Sequence, residues 1–176
     1  GNRTTKSTPT QVGTATNWVA VAAGQFHSLG LRSDGTLWAW GGNGEGQLGT
    51  AGGNTPARVG TATDWVSIAA GDEHSLGVRS DGSLWSWGFN ESYQLGVGDA
   101  NRRTTPVRVG SDANWASVAA DFRYSLGVRT DGTLWSWGWN TQGQLGLGDV
   151  NPRAVPTRVG VGANWTAAFP GRVHCL

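Results

Sequence analysis

Ser28-Leu29-Gly30-Leu31-Arg32-Ser33-Asp34-Gly35, followed after Thr36 by Leu37-Trp38-Ala39-Trp40-Gly41, is the stretch that decides the fold. Two short apolar runs flank an Asp-Gly pair, and glycine's tolerance of positive φ makes that pair a sharp local signal for a tight hairpin turn. The pattern returns from Ser75 to Gly88 and from Ser125 to Gly138, with Asp81-Gly82 and Asp131-Gly132 at the turn. In the second run Trp38 and Trp40 fall on one face and Leu37 and Ala39 on the other, which is the pattern of a strand buried on both sides.

Upstream of each hairpin stands a tryptophan-led segment: Asn17-Trp18-Val19-Ala20-Val21-Ala22-Ala23-Gly24, then Asp64 to Gly71, Asn114 to Asp121 and Asn164 to Gly171. Trp18, Trp65, Trp115 and Trp165 are spaced 47, 50 and 50 residues apart, which sets the period. Downstream, Gln47-Leu48-Gly49, Gln94-Leu95-Gly96 and Gln144-Leu145-Gly146 lead into polar loops that end at Pro56, Pro106 and Pro156. The three residues missing from the first unit belong to that loop. A short run such as Val107-Arg108-Val109-Gly110 closes each unit.

Four short β-runs per unit of about fifty residues, with no helical periodicity, predict an all-β fold built of four-stranded β-propeller blades. Residues 1–176 form a single repeat domain. Residues 1–16 read as the leading strand of a preceding unit, 17–63, 64–113 and 114–163 as repeats one to three, and 164–176 as a partial repeat four. Some three and a half blades make an incomplete ring, with unpaired strand edges and an apolar terminal face. The expectation is closure by self-assembly, as a homo-oligomeric ring or filament, or by further blades in missing chain. A first residue of glycine and the lack of methionine point the same way, to a processed form or part of something longer.

Composition narrows the function classes. The 13 basic and 12 acidic residues nearly cancel, which removes the electrostatic case for nucleic acid. The basic residues are arginines at matching repeat positions, apart from Lys6. The lone Cys175 excludes an intrachain disulfide and multi-cysteine zinc patterns. No run approaches the roughly eighteen apolar residues of a membrane span, and Gly1 to Thr10 lack a signal-peptide core, so no membrane insertion is expected.

The chain resembles the repeat family of the regulator of chromosome condensation, found in bacterial and eukaryotic proteins. The resemblance lies in Ala22-Ala23-Gly24, His27-Ser28-Leu29, Asp34-Gly35, Trp40-Gly41 and Gln47-Leu48-Gly49, which recur as Ala69-Ala70-Gly71, His74-Ser75-Leu76, Asp81-Gly82, Trp87-Gly88 and Gln94-Leu95-Gly96. It implies a seven-bladed ring, more than this chain supplies. The third copy departs from the pattern at Asp121, in place of glycine, and Tyr124, in place of histidine, and the fourth stops at Val173-His174-Cys175-Leu176. The resemblance also implies two kinds of activity: nucleotide exchange on a nuclear small GTPase in one branch, and secreted inhibition of β-lactamases among bacterial relatives.

Catalytic residues are not expected, nor is any cofactor or metal. His27, His74 and His174 hold one place in successive units, a blade apart, too far for a shared metal with bonds of roughly 2 Å. They read as structural, hydrogen-bonded repeat residues, as do Trp18, Trp65, Trp115 and Trp165. The repeated aspartates are explained by turn chemistry. Gly44-Glu45-Gly46-Gln47-Leu48-Gly49 matches G-x-G-x-x-G without the strand-to-helix junction that binds a pyrophosphate. Asn90-Glu91-Ser92 and Asn164-Trp165-Thr166 match the glycosylation sequon, which is short enough to arise by chance.

Columns that vary between copies while the framework repeats are the candidate contact surface. They fall before the histidine column, where Gln25-Phe26, Asp72-Glu73, Phe122-Arg123 and Arg172-Val173 align, and in the loops Gly42 to Gly46, Phe89 to Tyr93 and Trp139 to Gly143. Phe26, Asp72, Glu73, Phe89, Tyr93, Phe122, Arg123 and Trp139 are the predicted partner-binding residues, since aromatic and arginine side chains on a rigid scaffold are the usual anchors of protein interfaces. The reading is a protein-interaction module, not an enzyme. The nearly lysine-free, Gly/Ser/Thr/Asn-rich composition places it in a bacterial secreted or surface protein. The alternatives are a structural self-assembling subunit and a guanine-nucleotide exchange factor-like regulator of a small GTPase.

Overall fold

The computed structural model describes residues 7–171 and the backbone of residues 174–175. β1 (Trp18–Ala23), β2 (His27–Arg32), β3 (Leu37–Gly41) and β4 (Ala57–Arg58) form a first antiparallel four-stranded sheet. β5 (Trp65–Ala70), β6 (His74–Arg79), β7 (Leu84–Gly88) and β8 (Arg103–Arg108) form a second. β9 (Trp115–Asp121), β10 (Tyr124–Arg129), β11 (Leu134–Gly138) and β12 (Arg153–Arg158) form a third, and β13 (Pro170–Gly171) with β14 (His174–Cys175) opens a fourth. No helix occurs among the described residues. The first strands of successive sheets lie side by side, β1 against β5 and β5 against β9, so they are the inner strands of an arc of propeller blades. Residues 7–16, where the sequence predicts a leading strand, carry bends and no strand; residues 1–6 of that stretch lie outside the described residues.

The Asp-Gly turns build each hairpin and also join it to the next blade. Gly35, Gly82 and Gly132 have φ of +72°, +76° and +75°. Asp34 Oδ1 accepts from the Thr36 amide at 3.0 Å and the Thr36 hydroxyl at 2.6 Å, and Asp81 and Asp131 repeat the arrangement with Ser83 and Thr133. These bonds hold the aspartate carboxyls below their ordinary range. Only the glycine of each pair is left-handed, so the turn is a three-residue loop rather than the two-residue type. The Trp65 amide donates to the Gly35 carbonyl at 3.2 Å, and a Cβ at Gly35 would strike the Thr63 carbonyl.

Each seam joins two unlike faces. Leu29, Leu31, Leu37 and Leu48 of blade one pack with Trp65, Ile68, Trp85 and Trp87 of blade two. Leu76, Val78 and Leu84 of blade two pack with Trp115, Trp135 and Trp137 of blade three. Burying one such leucine contributes roughly 2 kcal/mol. Gly77 makes room for the inner tryptophan, since a Cβ there would stand 2.5 Å from Trp65 Cζ3, and Gly30 and Gly127 do the same beside Trp18 and Trp115. The recurring arginines lie over these indoles: Arg129 is 3.7 Å from the Trp135 ring centroid and Arg79 is 4.8 Å from that of Trp85.

The three residues missing from the first loop shorten the outer strand as well. β4 has 2 residues where β8 and β12 have 6, and the Gly53 carbonyl accepts the Gly41 amide at 2.8 Å where the longer blades have strand pairing. Pro106 and Pro156 interrupt β8 and β12, which removes a donor from each outermost edge.

Candidate protein-interaction site

The histidines sit inside the seams. His27 Nε2 lies 2.8 Å from Ser75 Oγ, and Ser75 donates to the Gln47 carbonyl at 2.8 Å. The serine proton is thereby committed, so its oxygen accepts from His27 Nε2–H, which assigns the tautomer. His74 Nε2, Ser125 Oγ and the Gln94 carbonyl repeat the chain at 2.9 and 2.8 Å. The same carbonyls also accept Trp87 Nε1–H and Trp137 Nε1–H. Burial lowers the His27 pKa to about 4; burial, followed by the charge of His27, lowers that of His74 to about 3. Both are neutral at pH 7. In the third blade the Tyr124 hydroxyl donates instead to the Gly171 carbonyl at 2.7 Å. The side chain of His174 lies outside the described residues.

Among the repeat tryptophans, Trp65 and Trp115 are buried at 4% and 3% exposure, Trp18 is half-buried on the open face of blade one, and Trp165 is 40% exposed. Asn90 of the first sequon is fully buried, its amide donating to the Asp99 and Asn101 carbonyls, so that sequon is closed to glycosylation in the folded chain; Asn164 of the second is exposed.

The variable columns meet at the other end of the blades from the Asp-Gly turns. Asp72, Glu73, Phe89, Phe122 and Arg123 line one recess of about 120 Å³ between blades two and three, together with Gln25 and Gln94. Backbone bonds hold the loops in place: the Phe89 amide donates to the Glu73 carbonyl, the Trp139 amide to the Arg123 carbonyl and the Asp72 amide to the Phe122 carbonyl. The Arg123 guanidinium lies 5.1 Å from the Phe89 ring centroid and 5.4 Å from that of Phe122, and Trp139 meets Phe122 edge-on at 5.3 Å. Phe122 takes a φ of +32°, in the left-handed half of backbone space that a phenylalanine adopts only under constraint.

Two predicted contact residues stand apart from this recess. Phe26 is 56% exposed on the β1–β2 turn, and Tyr93, at φ +64°, occupies the turn that leads to Gln94. The aligned Arg172 and Val173 lie outside the described residues. Asp121, which breaks the glycine column, lines an adjoining recess of about 360 Å³ with Gln25 and Asp72. No cluster of metal-ligating side chains occurs among the described residues.

Comparison with known proteins agrees with this architecture. Two models of the regulator of chromosome condensation (RCC1) repeat match, one over residues 18–47, 65–94 and 115–144, the other over 34–78, 81–121 and 131–176. Similar solved structures include yeast RCC1 (Prp20) bound to Kap60, with 27% identity over 94% of this chain and a TM-score of 0.82. Prp20p of Saccharomyces cerevisiae, in a structure whose description names binding to Gsp1p and histones, gives 28% identity over 94% and 0.81. Human WBSCR16 gives 28% over 90% and 0.79. The chain spans 42%, 44% and 44% of those three chains. No curated protein sequence matches it. With matched repeats covering most of its length, the chain belongs to the regulator of chromosome condensation (RCC1) repeat family.

Proposed function

We propose that this chain is a protein-interaction module whose contacts are made by the loop end of blades two and three. The observation that carries this reading is the convergence of Phe89, Phe122 and Arg123 on one recess that Asp72 and Glu73 also line, with Trp139 packed against Phe122 beside it. Aromatic anchors on a scaffold fixed by buried seams, with charged side chains beside them, have the make-up of an interface hot spot. The described partners of Prp20, namely Kap60, Gsp1p and histones, are proteins, which supports the same class of ligand. Photo-cross-linking from position 139 of the full chain, followed by mass spectrometry, tests it. Capture of one protein, lost on Phe122→Ala, is the expected result; capture unchanged by Phe122→Ala overturns it.

The module is non-catalytic in this reading, and it belongs to a bacterial secreted or surface protein. Lys6 is the sole lysine of the chain, and that composition is the support for an extracellular setting. Hydrolytic activity lost on a single His or Asp substitution would refute the first statement, and recovery of the native protein from the cytoplasmic fraction would refute the second. Likeness to yeast RCC1 favours a second reading, guanine-nucleotide exchange on a small GTPase, which a purified exchange assay decides. The exposed tryptophan face of blade one favours a third, head-to-tail assembly. There Ser28 and Trp40 are half-exposed where Ser75 and Trp87 are sealed against a preceding blade. The mass of the native particle decides it.

A further inference from the structure

Most acidic side chains here are already committed. Asp64, Asp99, Asp112, Asp149 and Glu45 pair with arginines, and Asp34, Asp81 and Asp131 hold their turns. Glu73 and Asp121 differ: neither has an ion-pair partner among the described residues, although Asp121 Oδ1 accepts the Phe122 amide at 2.6 Å. Glu73 lines the recess of about 120 Å³, Asp121 the neighbouring one of about 360 Å³, and Gln25 and Asp72 line both. Glu73 and Asp121 therefore open onto two adjoining recesses that share Gln25 and Asp72 at the seam of blades two and three, with Arg123 as the one cation lining them among the described residues.

We propose that this space receives the cationic side chain of a basic protein segment. The ring faces of Phe89 and Phe122 form its walls, and Glu73 and Asp121 supply the counter-charge. Arg123 is the chain's own example of the fit. Its guanidinium lies within 5.1 and 5.4 Å of the two ring centroids, with no carboxylate at ion-pair distance among the described residues. Aromatic faces attract cations through their quadrupole, and a planar guanidinium stacks on them best. The same carboxylates repel phosphate, so the charge selects a basic polypeptide over nucleic acid. Arg123 competes for the seat, and its flexible side chain leaves the rings when a partner's cation arrives. This inference rests on the loop end being the interface and adds the chemistry of what binds there.

The test titrates the full chain with two synthetic twelve-residue Gly/Ser peptides, one carrying three arginines and the other three glutamates, while amide and indole NMR signals are followed. The arginine peptide is expected to move the signals of Phe122, Arg123 and Trp139, with an affinity that falls as salt rises. Glu73→Gln combined with Asp121→Asn should weaken it about tenfold, the scale of losing partners in a close charge pair. Arg123→Ala should strengthen it severalfold, which a merely structural Arg123 would not do. An unchanged affinity in the double variant, or a weaker one in Arg123→Ala, overturns the proposal. If the glutamate peptide binds there instead, the loop end remains the interface and its basic preference is wrong. If neither peptide moves these signals and cross-links from position 139 capture nothing, both readings fall.

Discussion

His74 Nε2 meets Ser125 Oγ at 2.9 Å across the seam between blades two and three, and Ser125 passes its own hydrogen on to the Gln94 carbonyl. His27, Ser75 and Gln47 make the same chain one seam earlier. A neutral imidazole suits this place because its single N–H finds an acceptor; a charged one would carry a second, buried N–H against Gly71 or Gly24.

Acid should therefore weaken the seams before it reaches the carboxylates. An unfolded histidine titrates near 6.5, whereas His27 and His74 titrate at about 4 and about 3 when folded. Between those values the unfolded chain binds more protons, so stability is full above about pH 6.5 and falls below it. The slope reaches about 1.4 kcal/mol per pH unit for each histidine. Below the ordinary carboxylate range the turn aspartates, whose folded pKa values are lowered, add their own loss. Urea midpoints from pH 7.5 to 4 check this, and a flat profile over that range refutes the neutral, buried assignment.

The third blade predicts a compensating pair. A Cβ at Gly71 would stand 2.5 Å from His74 Nδ1, while the third copy tolerates Asp121 beside Tyr124, whose hydroxyl reaches onward to Gly171. Gly71→Asp alone should cost about 1–3 kcal/mol by overpacking. Adding His74→Tyr should return a measurable part of it, read as coupling in a double-mutant cycle of denaturation midpoints. Strictly additive losses would show that the two columns are independent.

Tyr93 holds a φ of +64° at a turn where the other copies have Gly46 at +81° and Gly143 at +74°. Left-handed backbone costs an L-residue about 1–2 kcal/mol, partly offset by the greater unfolded-state entropy of glycine. Tyr93→Gly should thus raise stability by about 0.5 kcal/mol. A clear loss on denaturation would mean that the tyrosine ring contributes packing worth more than the strain.

Trp139 touches Phe122 from an adjacent loop, outside the buried seams. Trp139→Ala should leave the denaturation midpoint within about 0.5 kcal/mol, as expected of a surface change, and reduce partner affinity at least tenfold, as expected of an anchor. Loss of both together would assign Trp139 to the fold.

Much of the architecture was legible because the chain repeats its own framework. The Asp-Gly turns, the alternation of Leu37 and Ala39 with Trp38 and Trp40, and the tryptophan spacing are local patterns that survive without knowledge of neighbours. The seam bonds were less legible. Ser75 and Ser125 read as ordinary strand residues, and only the packing of two blades shows each serine between a histidine and a glutamine carbonyl. The variable columns named residues of the recess, yet not which of them meet. That depends on how far one blade is rotated against the next, which brings Asp72 and Glu73 to Phe122 and Arg123 and leaves Phe26, Tyr93 and Trp139 off the recess lining. The shortened β4 was missed because a three-residue deletion within a polar loop carries no sign of the strand that it draws upon.

The unlike faces of each seam also bear on how such a chain grows. A blade ends in a leucine surface and begins with a tryptophan surface, so two copies of one blade fit in tandem and no blade fits its own like face. Duplication of a single unit in the gene then yields a neighbour that docks without further change, and lengthening by copying is the easy evolutionary path. Drift afterwards falls mainly on places that a seam does not read, above all the loop end of the blades, while the exchange of histidine for Tyr124 beside Asp121 shows a seam position that has changed as well.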